Sequence, residues 1–219
     1  IERRSLILMF NYQIIIEYLG TNFIGWQIQK KGFSIQSEIQ KALSKVLKKK
    51  IKIIGSGRTD AGVHAKGQSA SFIFNQEIKD KYKFLSSVNF FLKNKSISIT
   101  KINKRNINFH ARHSAKKKIY KYVIFNRETN SPMHKNRSWF LKKKLDLKLM
   151  KKAIKFFVGK HNFSSMRAAS CAAKSAIRSV TKANISKKSN NIIITFESRS
   201  FLQKQVRSMV GCLKYVEKK

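Results

Sequence analysis

The chain has 219 residues, of which 42% are hydrophobic, enough for one large domain or two small ones around a buried core and too apolar for a disordered basic tail. Its 48 Lys and Arg stand against 10 Asp and Glu, a formal net charge of +38. That excess points to a polyanionic partner, nucleic acid first, because cations facing phosphates release condensed counterions.

An AT-rich coding bias toward Lys, Ile and Asn raises the same charge without any partner, so charge suggests a partner class and no chemistry. The cysteines are Cys171 and Cys212, without CxxC spacing. They suit neither a zinc site nor a disulfide framework and fit a reducing compartment. No apolar run of roughly 18 residues is present, so no membrane span is expected. Residues 1–10 mix charge with apolar side chains and lack a small-residue cleavage site, and a cytoplasmic location is the expectation. The sequence begins at Ile1 rather than Met, as a processed or incomplete N-terminus would.

Along the chain, residues 12–18 (YQIIIEY) are short and β-branched and predict a strand. Ser34 opens a helix on which Ile35, Ile39, Leu43 and Val46 recur at helical spacing. Residues 51–54 predict a strand entering a Gly-rich loop, 68–74 a second strand, 80–92 a helix and 97–102 a closing strand. The second half predicts a strand at 118–125 and a helix at 147–158 capped by Asp146. Strands at 177–186 and 191–197 follow around a polar turn at 187–190, then a helix at 201–215. The first half reads β-α-β-β-α-β and the second repeats it without the last strand. Each copy is a split βαβ, ferredoxin-like (RRM-like) unit. The expected fold is therefore α+β: two units, residues 1–105 and 106–219, sharing one broad, mostly antiparallel sheet with a central cleft. The second unit lacks its final strand.

Four of the nine glycines fall in residues 55–67, GSGRTDAGVHAKG. In a chain so poor in Gly, that clustering indicates positive φ or close backbone approach. Within it stands Asp60, one of three Asp; the others, Asp80 and Asp146, sit at helix starts where capping accounts for them. The loop fits no nucleotide-binding pattern: Asp60 occupies the third Gly position of a dinucleotide fingerprint, and Gln68 and Ser69 follow Gly67 where a Walker loop needs Lys and Ser or Thr. The deaminase signature is also missing, since Ala65 and Lys66 follow His64. The five His have no metal spacing. On composition alone, Asp60 is either a turn residue or a catalytic carboxylate.

The stretch GRTDAGVHA at residues 57–65 resembles the signature of the tRNA pseudouridine synthase A family. The resemblance runs on through GTNFIGWQ at 20–27, with Leu19 where an Asp is usual. It continues in FHAR at 109–112 with Ser114 and Ala115, YKY at 120–122, HNFSS at 161–165, RAASC at 167–171, and Phe201 through Val206 and Arg207 to Gly211. It covers about residues 12–215 in order.

The resemblance implies an isomerase that converts uridine to pseudouridine in the anticodon arm of tRNA, at about positions 38–40, read by shape more than by base edges. It acts as a homodimer without metal or organic cofactor. Asp60 corresponds to the essential carboxylate, as nucleophile or base on a flipped-out uridine. Arg207 corresponds to the arginine that pairs with it, and Tyr120 to the tyrosine that stacks on the uracil. Without the resemblance, Arg207 reads as a solvated helix arginine or, by its neighbours Val206, Met209 and Val210, a buried one, and Tyr120 as a core residue. Arg58, beside Thr59, corresponds to the side chain that helps extrude the target. Phe109, His110, Ala111, Arg112 and His113, with Arg167, Ala168, Ala169, Ser170, Cys171 and Ala172, correspond to RNA-contact segments. Two readings compete with an enzyme: a non-catalytic RNA-binding protein on the same units, and a basic ribosome-associated protein. The latter explains the charge but not the Gly-dense loop.

Overall fold

The structure, a computed structural model, describes residues 8–216. The reading of residues 1–10 therefore lies largely outside the described residues, as do Glu217, Lys218 and Lys219. The chain divides into two compact units, with the division between Ala115 and Lys116.

The first unit runs β1 (Phe10–Tyr18), α1 (Ile35–Val46), β2 (Ile54–Gly55), β3 (Ala65–Phe74), α2 (Lys81–Leu92) and β4 (Ile97–Arg105). Its strands pair antiparallel in the order β2-β3-β1-β4, so β3 lies between the two strands that α1 joins. Alternation along β1 sends Tyr12, Ile14, Ile16 and Tyr18 into the core beneath the helices, with Ile35, Ile39 and Leu43 of α1 and Phe84, Val88 and Leu92 of α2. Ser34 caps α1 reciprocally with Ser37, and Asp80 caps α2 by accepting from the Lys83 amide at 2.9 Å.

The strand read at 51–54 shrinks to Ile54–Gly55 for a physical reason. Ile51 and Ile53 do enter the core, but side chains of α1 and its C-terminal turn occupy their backbone groups. Ser44 Oγ accepts from the Ile51 amide, Gln40 Oε1 accepts from the Ile53 amide, and Gln36 Nε2 donates to the Ile53 carbonyl. Residues 106–115 stay with this unit and not with the second. The Asn11 amide, on the face of β1 away from the helices, donates to the carbonyls of Asn106, Ile107 and Phe109, and Ser71 Oγ accepts from the Ala111 amide.

The second unit runs β5 (Lys118–Asn126), β6 (Trp139–Leu141), α3 (Leu147–Ala153), β7 (Gly159–Asn162), β8 (Ile177–Lys188), β9 (Asn191–Ser198) and α4 (Gln205–Lys214). Its sheet order is β6-β5-β9-β8-β7, antiparallel except for β5 and β6. Ile192, Ile194 and Phe196 alternate inward from β9 to meet Met150 of α3 and Met209, Val210 and Leu213 of α4. Asp146 accepts from the Leu149 amide at 3.0 Å. The helix read to residue 158 tightens to a 3-10 turn over Ile154–Phe157. The last helix starts at Gln205, four residues later than the periodicity indicates, because Lys204 takes a left-handed φ of 63°. Gln205, fully buried, accepts from the Leu202 amide through Oε1. Among the described residues, no strand follows α4.

The expectation of one continuous sheet is not met. Among the described residues the strands form two sheets, of four and five strands, each with its own core.

Candidate active site

The loop between β2 and β3 carries Arg58, Thr59 and Asp60, and the preceding loop of the same unit cradles it. The Trp26 amide donates to the Thr59 carbonyl at 3.0 Å, and the Gly62 amide to the Phe23 carbonyl at 3.4 Å. The hydroxyls of Tyr18 and Thr59 hydrogen-bond at 2.8 Å, and the Gly20 amide donates to His64 Nδ1 at 2.9 Å. The cradle is anchored in turn on the start of α1, whose Ile35 and Gln36 amides donate to the carbonyls of Gly25 and Trp26. These bonds satisfy amides that a helix N-terminus otherwise leaves open.

The glycines show how closely the layers approach. A Cβ on Gly25, whose φ is +114°, would lie 2.6 Å from the Thr59 carbonyl oxygen and 3.2 Å from the Asp60 carbonyl carbon. A Cβ on Gly20 would run into the Val63 carbonyl, and one on Gly55 would lie 2.6 Å from the Trp26 indole. Gly62 turns the bend at φ +77°, and the Val63 amide closes it onto the Asp60 carbonyl at 3.2 Å. Gly67 has ordinary space around it and lies in β3, so close approach explains only part of the cluster.

Asp60 itself is half-buried, and among the described residues its carboxylate makes no ion pair. Asp80 and Asp146 do cap helices, so Asp60 is the one aspartate left free of structural duty. Arg58 is exposed beside it.

The Phe109–His113 segment folds over the polar face of the same sheet. Phe109 lies under the Arg105 guanidinium, 5.5 Å from the ring centroid. Arg105 donates twice to Gln13 Oε1, at 2.9 and 2.6 Å, and Gln13 donates to Ser69 Oγ at 2.8 Å. The Ser69 carbonyl accepts from the Ser56 amide at 2.7 Å. A polar relay across the sheet thus joins the Phe109 segment to the root of the Asp60 loop. The sequence reading missed Gln13, Ser69 and Arg105; their only signal is the outward phase of their strands. The rings of His110 and His113 lie 4.3 Å apart, tilted by 40°; Ala111 is buried and Arg112 is exposed.

The remaining candidates belong to the second unit. Tyr120 is half-buried on β5 and meets Phe201 edge-on at 5.0 Å. Arg207 is exposed, which corrects the reading that its apolar neighbours bury it. Val206, Met209 and Val210 turn inward on α4, and at 100° per residue Arg207 falls outside their stripe. Burial raises the pKa of Tyr122, two residues along β5 from Tyr120, and the Arg207 charge opposes the rise.

Ala168 to Ala172 form a loop tied to the approach to α4. The Ala168 amide donates to the Gln203 carbonyl, and Arg167 reaches the Ala173 carbonyl at 3.4 Å. Ala169, Ser170 and Ala172 are exposed. Backbone hydrogen bonds from Ala173 and then Gln203 lower the Cys171 pKa. Among the described residues no cluster of His, Cys, Asp and Glu could hold a metal, and no helix is long and apolar enough to cross a membrane. A surface depression of about 480 Å³, bordered by Val46, Lys48, Phe74 and Glu77, contains none of the candidate residues.

A mixed α/β chain with a carboxylate held bare in a glycine-lined bend, an exposed arginine two residues before it, has the make-up of an enzyme for an anionic substrate. The family model described as tRNA pseudouridine synthase matches residues 14–114 and 153–219. A protein of Pelagibacter ubique named tRNA pseudouridine synthase A is 57% identical over 208 residues, 95% of this chain and 85% of that protein. One of the same name from Neorickettsia sennetsu is 41% identical over 202 residues, 92% and 83% of the two chains. The chain belongs to the tRNA pseudouridine synthase family, a family of isomerases.

Proposed function

We propose that this protein isomerises uridine to pseudouridine in the anticodon stem-loop of tRNA, at about positions 38–40, recognising the arm by shape and backbone. The observation that carries this reading is the half-buried Asp60 carboxylate, without an ion pair among the described residues, in a bend that a second loop holds in place. In the reaction the bond from C1′ to N1 breaks, the uracil rotates, and C1′ joins C5, with the C5 proton lost and N1 protonated. Asp60 acts as nucleophile or base on the flipped-out nucleotide.

Tyr120 stacks on the uracil and presents its hydroxyl for proton transfer, and Arg207 pairs with Asp60 to orient it. Each unit is taken as ferredoxin-like, with the catalytic loop at 55–67 in the first. Arg58 helps extrude the base, at a flipping cost on the order of a few kcal/mol, and Thr59 contacts the RNA beside it. Phe109, His110, Ala111, Arg112 and His113, and Arg167 to Ala172, contact the RNA. The enzyme works as a homodimer in the cytoplasm, without a cofactor.

The test is pseudouridine mapping on tRNA incubated with wild type and with Asp60→Asn. The expected outcome is modification at about positions 38–40 with wild type only, tRNA binding being equal for both. Equal modification by the two proteins removes Asp60 from the chemistry, and binding without modification by wild type leaves an RNA-binding protein.

A further inference from the structure

On the outer side of the helical layer in the first unit, away from the polar sheet face, aromatic rings and lysines alternate along one connected surface. Phe33, Phe90 and Phe91 are 63%, 64% and 41% exposed. Lys41 lies 5.9 Å from the Phe33 centroid, Lys45 of α1 reaches across to Phe91 at 5.2 Å, and Lys93 sits 4.9 Å from Phe90. Phe90 and Phe91 meet edge-on at 5.5 Å. Lys41 and Lys45 are one helical turn apart, and α1 packs against α2. The string from Phe33 through Lys41, Lys45, Phe91 and Phe90 to Lys93 is therefore continuous.

Among the described residues, Lys45 and Lys93 of this string make no ion pair. The one acid within α1 and α2, Glu38, is 7% exposed and already bound by Lys41 at 2.9 Å and Lys95 at 3.5 Å. Lys48, Lys49 and Lys50 extend the positive edge beyond α1. Three exposed rings gain nothing in water and lie outside the core that the helices cover. Rings that bases can stack on, interleaved with ammonium groups that phosphates can meet, are the two elements of a sequence-tolerant single-strand surface.

We propose that this face binds an unpaired RNA segment, with bases stacking on Phe33 and Phe90 and the backbone following Lys45 and Lys93. The proposal does not depend on the reaction proposed above. Charge complementarity favours RNA over a second copy, because a like patch carries the same lysines.

The probe is a fluorescein-labelled oligouridylate of about 12 nucleotides, added in the presence of saturating tRNA so that the Asp60 side is occupied. Phe33→Ala/Phe90→Ala is expected to weaken its binding by about tenfold or more. Lys45→Gln/Lys93→Gln lowers the salt slope by about 1.4, two contacts at about 0.7 each. Pseudouridine formation on an anticodon-arm hairpin stays at the wild-type level in both variants. A Phe90→Trp reporter is expected to be quenched by the oligonucleotide beyond the change seen in wild type. Unchanged oligonucleotide affinity in the Phe33→Ala/Phe90→Ala variant overturns the proposal, as does an unquenched reporter. If Phe33→Ala/Phe90→Ala instead splits an oligomer at low RNA, the face belongs to a second copy and the RNA assignment is wrong. Loss of hairpin turnover in all proteins, wild type included, bears on the reaction alone.

Discussion

Replacing Gly25 by Ala tests whether the loop cradle positions Asp60. The added Cβ would sit 2.6 Å from the Thr59 carbonyl oxygen, 3.2 Å from the Asp60 carbonyl carbon and 3.3 Å from the Ala61 amide nitrogen. All three are backbone atoms, so no side chain can swing aside, and relief to ordinary contact requires a displacement on the order of 0.5–1 Å. The φ of +114° is itself a conformation L side chains rarely adopt, which adds strain of about 1–3 kcal/mol. The Trp26–Thr59 hydrogen bond ties the two loops, so the shift is transmitted to the Asp60 bend. A misplacement of about 1 Å is enough to lower turnover by about 100-fold. The assay is single-turnover tritium release from tRNA carrying 5-tritiated uridine, with tRNA affinity and thermal midpoint measured alongside. The expected result is slowed release, a lowered midpoint and unchanged affinity. Wild-type release from a protein with a lowered midpoint would refute the idea that the cradle sets the carboxylate's position.

Gly211 lies inside α4 with open space where a Cβ would stand, so Gly211→Ala stabilises the protein by about 0.5–1 kcal/mol in urea unfolding. Arg112→Ala weakens tRNA binding and lowers the salt slope by about 0.7–0.9 if it meets one phosphate; an unchanged slope takes Arg112 off the RNA surface. Tyr122 gives a pH prediction. Burial raises its folded pKa above the ordinary value of 10.0, with Arg207 opposing, so the folded state holds the phenolic proton more tightly than the unfolded chain. That contribution to stability is complete below pH 10.0 and is lost as pH rises through the raised value. Tyr122→Phe should therefore show a shallower alkaline fall in thermal midpoint than wild type.

The first unit was legible because its elements are long and its periods clean. Ile14 and Ile16 alternate, Ile35, Ile39 and Leu43 recur at helical spacing, and Ser34 and Asp80 cap as their residue types predict, as Asp146 does in the second unit. β7 was not legible, since Gly159–Asn162 contains no apolar residue and every position is exposed. It pairs with β8 through backbone alone, which pattern cannot reveal. β6 has three residues and pairs parallel with β5; so short a run carries no alternation. The glycine cluster pointed correctly to a special backbone around Asp60, but its cause lies partly in the distant Gly20 and Gly25. No local pattern links these to Thr59 and Val63. The relay of Arg105, Gln13 and Ser69 is a matter of register, visible only once β4, β1 and β3 are paired.

Glu17 and Asp60 separate chemistry from charge. In a chain of +38, acids are scarce, and most of those described have a structural partner. Glu38, Glu77, Glu128 and Glu197 pair with lysines, and Asp80 and Asp146 cap helices. Among the described residues this leaves Glu17 and Asp60. Glu17 is exposed on β1, whereas Asp60 is half-buried within the glycine-lined bend. Glu17→Gln and Asp60→Asn each remove one negative charge, so any general gain in attraction for phosphate applies to both. If Asp60 does chemistry, only Asp60→Asn loses turnover, by several orders of magnitude in the tritium-release assay, while Glu17→Gln keeps the wild-type rate. Similar losses in both variants would mean that the missing negative charge, and not a reacting carboxylate, sets the rate, and the case for Asp60 as the catalytic group would fail.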